Sequence, residues 1–141
     1  NPRNLFVAEF IGSPKMNLIA AEVLDATGMG ATVRTVGGDV INVAVDAAEA
    51  RPGDAVTLGI RPEHLTLSGS GGTIQARAAF VETLGHATYA YAAHGEATET
   101  LTVQLPGEVR PAVGDALTLY VPAHQAHLFA ADGTAFRRLA G

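Results

Sequence analysis

The chain of 141 residues contains no cysteine and no tryptophan, and Lys15 is its only lysine. Without cysteine it has no disulfide framework, no thiolate nucleophile and no zinc site built on cysteine. Nine basic residues stand against 14 acidic ones, which gives a net charge of −5 and a pI near 5.4. Because nucleic-acid binding requires a clustered basic face, and aromatic residues make up only 6% of the chain, we expect no nucleic-acid partner.

The sequence also lacks segments that would carry it into or through a membrane. Its longest apolar runs fall far short of the ~20 residues that a membrane-spanning helix needs. No signal-peptide pattern follows Asn1. Since the chain does not begin with methionine, we expect it to be a piece of a longer protein.

The motifs of common catalytic sites are missing as well. The sequence contains neither a phosphate-binding P-loop nor a dinucleotide fingerprint, and the glycines of residues 69–72 lack the lysine and the helix of a phosphate loop. Serine, histidine and aspartate are present, but no serine stands in a nucleophile elbow. We therefore predict that this chain is not an enzyme and holds no cofactor.

One stretch of the sequence occurs twice. Residues 53–60 read GDAVTLGI, and residues 114–121 read GDALTLYV. In both copies apolar residues alternate with small or polar ones, which is the period of a half-buried strand. The Gly-Asp pair predicts a turn before each strand, and a proline, Pro62 or Pro122, ends each one. Since the flanking sequences also correspond, we predict two related β units of roughly sixty residues, rather than a chance recurrence of a common β pattern.

The rest of the chain alternates short strand-like segments with turns. Residues 1–12 predict one helix, with Asn1 as its cap. The pair Gly37-Gly38 predicts a two-residue hairpin. Residues 73–84 alternate over a long stretch and predict one long strand that ends or bulges at Gly85.

About ten short strands and one helix indicate a mainly β fold, as a small barrel or two linked ones. The runner-up is a single sandwich with unrelated halves. We predict a helix and junction in residues 1–16, a first β unit in 17–68 and a second in 69–141. The flexible run Ser68-Gly69-Ser70-Gly71-Gly72 marks the division between the two β units.

The histidines and one charged motif are the remaining candidates for chemistry. His124 and His127, together with Glu63 and His64, could be drawn as a metal site, but they lie in turns without a cysteine or a second carboxylate. We favour surface histidines over metal ligands. The motif Arg61-Pro62-Glu63-His64 is interpreted as a charge-paired structural corner, with a partner contact as the alternative.

Four motifs, in the same order along almost the whole chain, resemble those of one family. Residues 6–17 read FVAEFIGSPKMN, and residues 58–64 read LGIRPEH, which contains Arg61, Pro62, Glu63 and His64. Residues 81–85 read VETLG, and the last motif runs from His127 to Arg137-Arg138-Leu139. These stretches resemble the ATP-binding subunits of sugar ABC importers of the maltose-transporter type, in the part that follows the nucleotide-binding domain.

The resemblance implies a non-catalytic C-terminal regulatory and dimerisation domain, built as OB-fold-like barrels from two TOBE-type repeats. ATP and Mg²⁺ would belong to an ATPase domain outside this chain, to which residues 1–16 would connect. The implied partners are a second copy of the subunit, transmembrane permease subunits reached through the ATPase domain, and in some members a regulatory protein. The implied location is cytoplasmic, peripheral on the inner face of the plasma membrane.

The resemblance does not fix the transported solute, which could be of the maltose, trehalose or glycerol-3-phosphate type, because residues 87–108 are alanine-rich and depart from the family pattern. The alternative function is a stand-alone module that binds a small ligand or an oxyanion, since TOBE domains include oxyanion binders. Oligonucleotide binding, common among OB-folds, ranks third because of the negative net charge.

The predicted homodimer surface is centred on Glu82, Leu84, Gly85 and His86, with Phe129 and Arg138 as further candidates. A glycine after a long strand permits a kink that re-aims its neighbours. Such a kink would present Glu82 and His86 outward with the apolar Leu84 between them. The alternative is an ordinary strand end, with Leu84 in the core and Glu82 solvated.

Overall fold

A computed structural model describes residues 15–95 and 100–140. These residues form nine strands and one 3-10 helix: β1 Asn17–Thr27, β2 Gly30–Thr35, β3 Val40–Val43, β4 Ala55–Ile60, the 3-10 helix Pro62–His64, β5 Gly72–Leu84, β6 Ala87–Ala93, β7 Leu101–Pro106, β8 Ala116–Val121 and β9 His127–Ala130. The predicted mainly β class is confirmed. The helix predicted for residues 1–12 lies outside the described residues.

The strands form two antiparallel sheets with the same internal order. The first sheet runs β3-β2-β1-β4-β9 and the second runs β7-β6-β5-β8. In each sheet the long first strand pairs with the second and fourth strands, and the third strand lies beyond the second. The predicted repeat is thus confirmed in the strand order, while β9, late in the chain, joins the first sheet. The division at residue 69 stays a prediction.

The two Gly-Asp turns have the same geometry. Gly53 and Gly114 both adopt φ of 95°, where a side chain is strained. The Gly53 N–H donates to the Val23 carbonyl at 2.8 Å, and the Gly114 N–H donates to the Ala78 carbonyl at 2.7 Å. Each turn therefore fixes the start of the fourth strand against the middle of the first strand in its own sheet.

Both long strands contain a bulge. The register shifts between Val23 and Asp25 in β1, and between Ala78 and Phe80 in β5. An extra residue in one strand bends it and increases its twist, so both sheets curl. The sequence predicts that the long strand either ends or bulges at Gly85, and the structure shows no bulge there. Gly85 instead takes φ of 62° in a two-residue turn between β5 and β6, as expected for glycine at the first position of a type II′ turn.

The Gly37-Gly38 hairpin is longer than predicted. The last residue pair before the loop is Arg34–Val40, so residues 35–39 separate the two paired positions and four residues lie between β2 and β3. The Thr35 N–H donates to the Asp39 carbonyl at 2.8 Å, and the Asp39 N–H and carboxylate both lie near the Thr35 hydroxyl. These bonds between Thr35 and Asp39 stabilise the wider loop.

The two sheets share one hydrophobic core. Fully buried side chains from the first sheet, such as Val33 and Leu58, belong to the same cluster as Ile74 and Leu119 of the second sheet. A smaller cluster, Met16 and Phe129 with Leu18 and Ala135 packed against it, lies on the other face of β4 and β9, because neighbouring residues of a strand point to opposite faces.

Two sheet edges are covered by the chain itself. The Asn17 side chain donates to the Thr102 carbonyl at 2.9 Å and accepts from the Thr102 N–H at 2.8 Å, on β7. The backbones of Thr66 and Tyr120 exchange two hydrogen bonds on β8. Covered edges cannot pair with another chain, so association through these positions is disfavoured. Among the described residues, no helix is long and apolar enough to cross a membrane.

Candidate functional site

The outer surface of the β5–β6 hairpin carries the predicted interface residues. The register pairs Phe80 with Tyr91, Glu82 with Tyr89, and Leu84 with Ala87. Directly opposed residues of antiparallel strands share one face of the sheet. We call Phe80, Glu82, Leu84, Tyr89 and Tyr91 the hairpin face; their neighbours Thr88, Ala90 and Ala92 are fully buried on the opposite, core side.

The hairpin face is apolar, aromatic and open to solvent. Phe80 is 54% exposed and Leu84 is 56% exposed, although both stand on an ordered sheet. The Phe80 and Tyr91 rings lie 5.8 Å apart, and the Tyr91 hydroxyl donates to Glu82 Oε1 at 2.9 Å. This bond raises the pKa of Tyr91 above its ordinary value. Glu82 is therefore held in place within an aromatic surface.

The structure places the four central candidates together at the end of this hairpin. The alternative of an ordinary strand end expected Leu84 in the core and Glu82 in solvent. Instead, Leu84 points away from the core, and Glu82 is half-buried beside Tyr91. Gly85 and His86 form the exposed turn that follows. The geometry agrees with a presented surface; that this surface is a homodimer interface stays a prediction.

The two further candidates lie elsewhere. Phe129 is fully buried in the smaller hydrophobic cluster, so its inclusion in an interface was wrong for this fold. The alternation of β9 turns Phe129 away from the main core, and Met16 and Leu18 then cover it. Arg138 is exposed beside β3, where it bridges to Val45, and its guanidinium donates to the His124 carbonyl at 2.7 Å. It belongs to the first sheet, whereas the hairpin face belongs to the second.

The family motif Arg61-Pro62-Glu63-His64 forms the 3-10 helix and the residue before it. Pro62 is buried at the first helical position, where its missing N–H costs nothing, and the helix packs against β7. Glu63 is exposed, and no ion pair joins it to Arg61 in the part of the chain that the structure describes. The motif is a corner between the sheets, but the charge pairing expected of it is not observed.

The structure does not bring the histidines and Glu63 together as metal ligands within the residues it describes. Within residues 15–95 and 100–140, no three histidine, aspartate or glutamate side chains are grouped so that they could hold a metal ion. His124 is exposed, while His127 is only 5% exposed and stacks on Phe129 at 6.3 Å between ring centroids. Burial above all, together with the positive charges of Arg138, Arg61 and His64, lowers the pKa of His127 to about 4.

The buried pair of His94 and Asp39 could not be predicted from the sequence pattern. His94 Nε2 lies 2.6 Å from Asp39 Oδ2, and the His94 side chain is only 1% exposed. Asp39 Oδ1 also accepts from the Gln75 N–H at 3.2 Å. A Cβ added at Gly37 would lie 2.4 Å from His94 Nε2, so glycine is required there. The pair joins the β2–β3 loop to the end of β6, across 55 residues of sequence.

Two open grooves flank the first sheet, with volumes of about 730 and 540 Å³. The larger is lined mainly by small and apolar side chains. The smaller is lined by the carboxylates Asp46, Glu49, Asp54 and Asp132, with Arg137 as its cation. The Ala48 N–H and then Arg137 lower the pKa of Asp46, so its carboxylate stays charged. An acidic groove disfavours an anionic ligand.

Two family profiles match the chain. The MalK OB fold domain matches residues 12–65, and the TOBE domain matches residues 58–129, about half of the chain. The maltose/maltodextrin import ATP-binding protein MalK of Vibrio vulnificus (strain YJ016) is 38% identical over 139 residues, which cover 98% of this chain and 38% of that protein. The sn-glycerol-3-phosphate import ATP-binding protein UgpC of Salmonella typhimurium is 37% identical over the same share of this chain and 37% of its own length.

The chain thus spans little more than a third of the relatives it matches. Among solved structures, the cytoplasmic molybdate-binding protein ModG, with molybdate bound, matches with a TM-score of 0.64 at 16% identity, over 79% of this chain and 94% of that one. At this identity the likeness shows the fold alone. The family profiles and the relatives agree, and the chain therefore belongs to the TOBE domain family, in the form found in MalK-type import ATP-binding proteins.

Proposed function

We propose that this chain is the C-terminal regulatory and dimerisation domain of the ATP-binding subunit of an ABC importer for sugars or related solutes. The match to about a third of two import ATP-binding proteins supports the domain assignment. ATP and Mg²⁺ would be bound by the ATPase domain of that subunit, and the permease subunits would be contacted through it. The subunit would then work in the cytoplasm, against the inner face of the plasma membrane.

The hairpin face is the feature of the structure that supports a role in dimerisation. Two half-exposed apolar side chains, Phe80 and Leu84, stand beside two tyrosines on a rigid sheet. Aromatic residues are enriched at interface cores, where a polar group needs a fixed partner. Tyr91 supplies that partner to Glu82. In a two-fold dimer the same surface occurs on both subunits, so one substitution acts twice.

Sedimentation velocity of the full-length subunit tests this role. The double variant Glu82→Arg with Leu84→Asp should shift a dimeric wild type towards monomer, because charge is placed in an apolar contact on both sides of the two-fold axis. Val113→Asp is the matched control, since Val113 is 66% exposed but lies outside the hairpin face. An unchanged dimer population in the double variant would remove the hairpin face from the interface.

A second candidate function is an anion-binding TOBE module. The fold likeness to a molybdate-binding protein favours it, although that likeness extends only to the fold. Calorimetry of the protein with molybdate, tungstate and maltose would distinguish the two functions. Tight binding of an oxyanion by a protein that remains monomeric would favour the module over the importer domain.

A further inference from the structure

The first residue of β1 is bonded to both sheets at once. Asn17 pairs with Ile60 in the first sheet and is only 8% exposed. Its side-chain Nδ2 donates to the Ile60 carbonyl at 3.2 Å and to the Thr102 carbonyl at 2.9 Å. Its Oδ1 accepts from the Thr102 N–H at 2.8 Å. One side chain therefore joins β1 and β4 of the first sheet to β7 of the second.

The arrangement around this side chain requires an amide. A primary amide carries a donor and an acceptor side by side, as a peptide group does, so Asn17 can take the place of a neighbouring strand beside Thr102. An aspartate at this position would set a second acceptor oxygen against two carbonyls. A leucine has a similar size but offers neither a donor nor an acceptor. Because Thr102 is bonded through both its N–H and its carbonyl, its position on the edge of β7 is fixed.

The residue before Asn17 is anchored as well. Met16 is 4% exposed and packs against Phe129 on the outer face of the first sheet. A Cβ at Gly59 would lie 2.6 Å from the Met16 sulfur, so the glycine leaves the space that Met16 fills. Met16 and Asn17 belong to the motif of residues 6–17, and Gly59 belongs to the motif of residues 58–64. Two motifs that are far apart in sequence thus meet where the chain enters β1.

Thr102 lies directly beside the hairpin face. β7 is an edge strand of the second sheet, and its register on β6 pairs Thr102 with Tyr91. Since the Thr102 N–H and carbonyl point outward to Asn17, this pair is of the type without mutual hydrogen bonds, in which opposed side chains lie closer together. Tyr91 in turn donates to Glu82 on β5. Contacts therefore run without a break from Asn17 through Thr102 and Tyr91 to Glu82.

We infer that Asn17 is a positioning residue for the hairpin face. It fixes the outer edge of β7, and Thr102 then holds the Tyr91 ring where its hydroxyl reaches Glu82. Buried side chains such as Val103 hold the inner face of β7 against the core, but they do not bond its outer edge. Asn17 thereby couples the entry of the chain into β1 to the tyrosines of the hairpin face.

The consequence for the subunit rests on the proposed function. If residues 1–16 connect to an ATPase domain, a displacement delivered at Met16 and Asn17 reaches the dimer surface through a continuous set of contacts. Coupling between two sites is reciprocal, so dimer contact at the hairpin face also acts on the junction.

Tyrosine labelled at Cζ with carbon-13 in the full-length subunit provides a local measurement of the Tyr91 phenol. Tyr91→Phe assigns the signal, and Glu82→Ala gives its position when the phenol has lost its partner. Asn17→Leu should move the Tyr91 signal towards that position, and Asn17→Asp should move it further because of the added acceptor. Asn42→Leu is the matched control, since the Asn42 side chain also forms a hydrogen bond in a strand, but to Thr32 within the β2–β3 hairpin.

Sedimentation equilibrium and urea unfolding of the same variants separate positioning from a purely structural role. In a dimeric wild type, Asn17→Leu should weaken dimerisation about three- to tenfold, because the change acts in both subunits. Loss of stability with an unchanged Tyr91 signal in folded Asn17→Leu, or an equal shift in the Asn42→Leu control, would overturn the inference. A monomeric wild type would contradict the proposed dimerisation, whereas the Tyr91 signal would still decide whether Asn17 positions the hairpin face.

Discussion

Replacing His94 by alanine should destabilise the joint between the two sheets. The side chain is 1% exposed, and its removal leaves the Asp39 carboxylate without its closest partner and opens a cavity beside Gly37. The loss of a hydrogen bond to a charged group costs about 1.5–3 kcal/mol, and the cavity adds to this. We expect a total of roughly 3 kcal/mol. Asp39→Asn keeps the shape but replaces one of the two acceptor oxygens by an amide NH2 group, so it should cost roughly 1 kcal/mol.

Native-state hydrogen exchange in the full-length protein measures this effect at the place where it acts. The amides of β2 and β6 should exchange more rapidly in His94→Ala, by the factor that roughly 3 kcal/mol implies, which is about 100-fold. His86→Ala is the matched control, since His86 is exposed in the neighbouring turn. The double variant Asp39→Asn with His94→Ala should cost little more than His94→Ala alone, because the two side chains act as one pair. Equal protection in His94→Ala and His86→Ala would show that the Asp39–His94 pair does not stabilise β2 and β6.

Two further predictions concern the repeat and the pH dependence of stability. Gly53→Ala and Gly114→Ala should each cost about 1–2 kcal/mol in urea unfolding, and should agree closely, because both glycines have φ of 95° in open space. A large difference between the two would contradict the equivalence of the turns. The pKa of His127 is about 4 in the fold and near its ordinary 6.5 when unfolded, so the unfolded chain binds more protons between these values. The free energy of unfolding should therefore increase by roughly 3 kcal/mol as the pH rises from about 4 to 6.5. His127→Gln should lose this component of the pH profile, and an unchanged profile would show that another group causes it.

The hairpin face shows how far local patterns can predict a surface. The alternation of residues 73–84 predicts a long strand and fixes which side chains share a face. Alternation does not reveal which face meets the core, because both faces of this strand carry apolar residues. The bulge at residue 79 further shifts the phase between the two halves of the strand. Only the packing of β5 against the first sheet decides that Val81 points inward and that Phe80 and Leu84 point outward.

The mainly β class, the two repeated units and the turns that begin their fourth strands can be predicted from the sequence alone. These features depend on interactions within a few residues: period-two alternation, a Gly-Asp turn, and a proline that ends a strand. The same local chemistry appears twice in the chain and produces the same geometry at Gly53 and Gly114.

The contacts between distant segments depend on the tertiary structure and could not be predicted from local sequence patterns. The pairing of β4 with β9, the burial of Phe129 against Met16 and the Asp39–His94 pair all join residues more than fifty positions apart. No local pattern selects such partners, because every exposed strand edge can pair and every isolated histidine can be solvated. They are selected by the shared core, which brings the two curled sheets together and leaves one arrangement in which the apolar faces of both are buried.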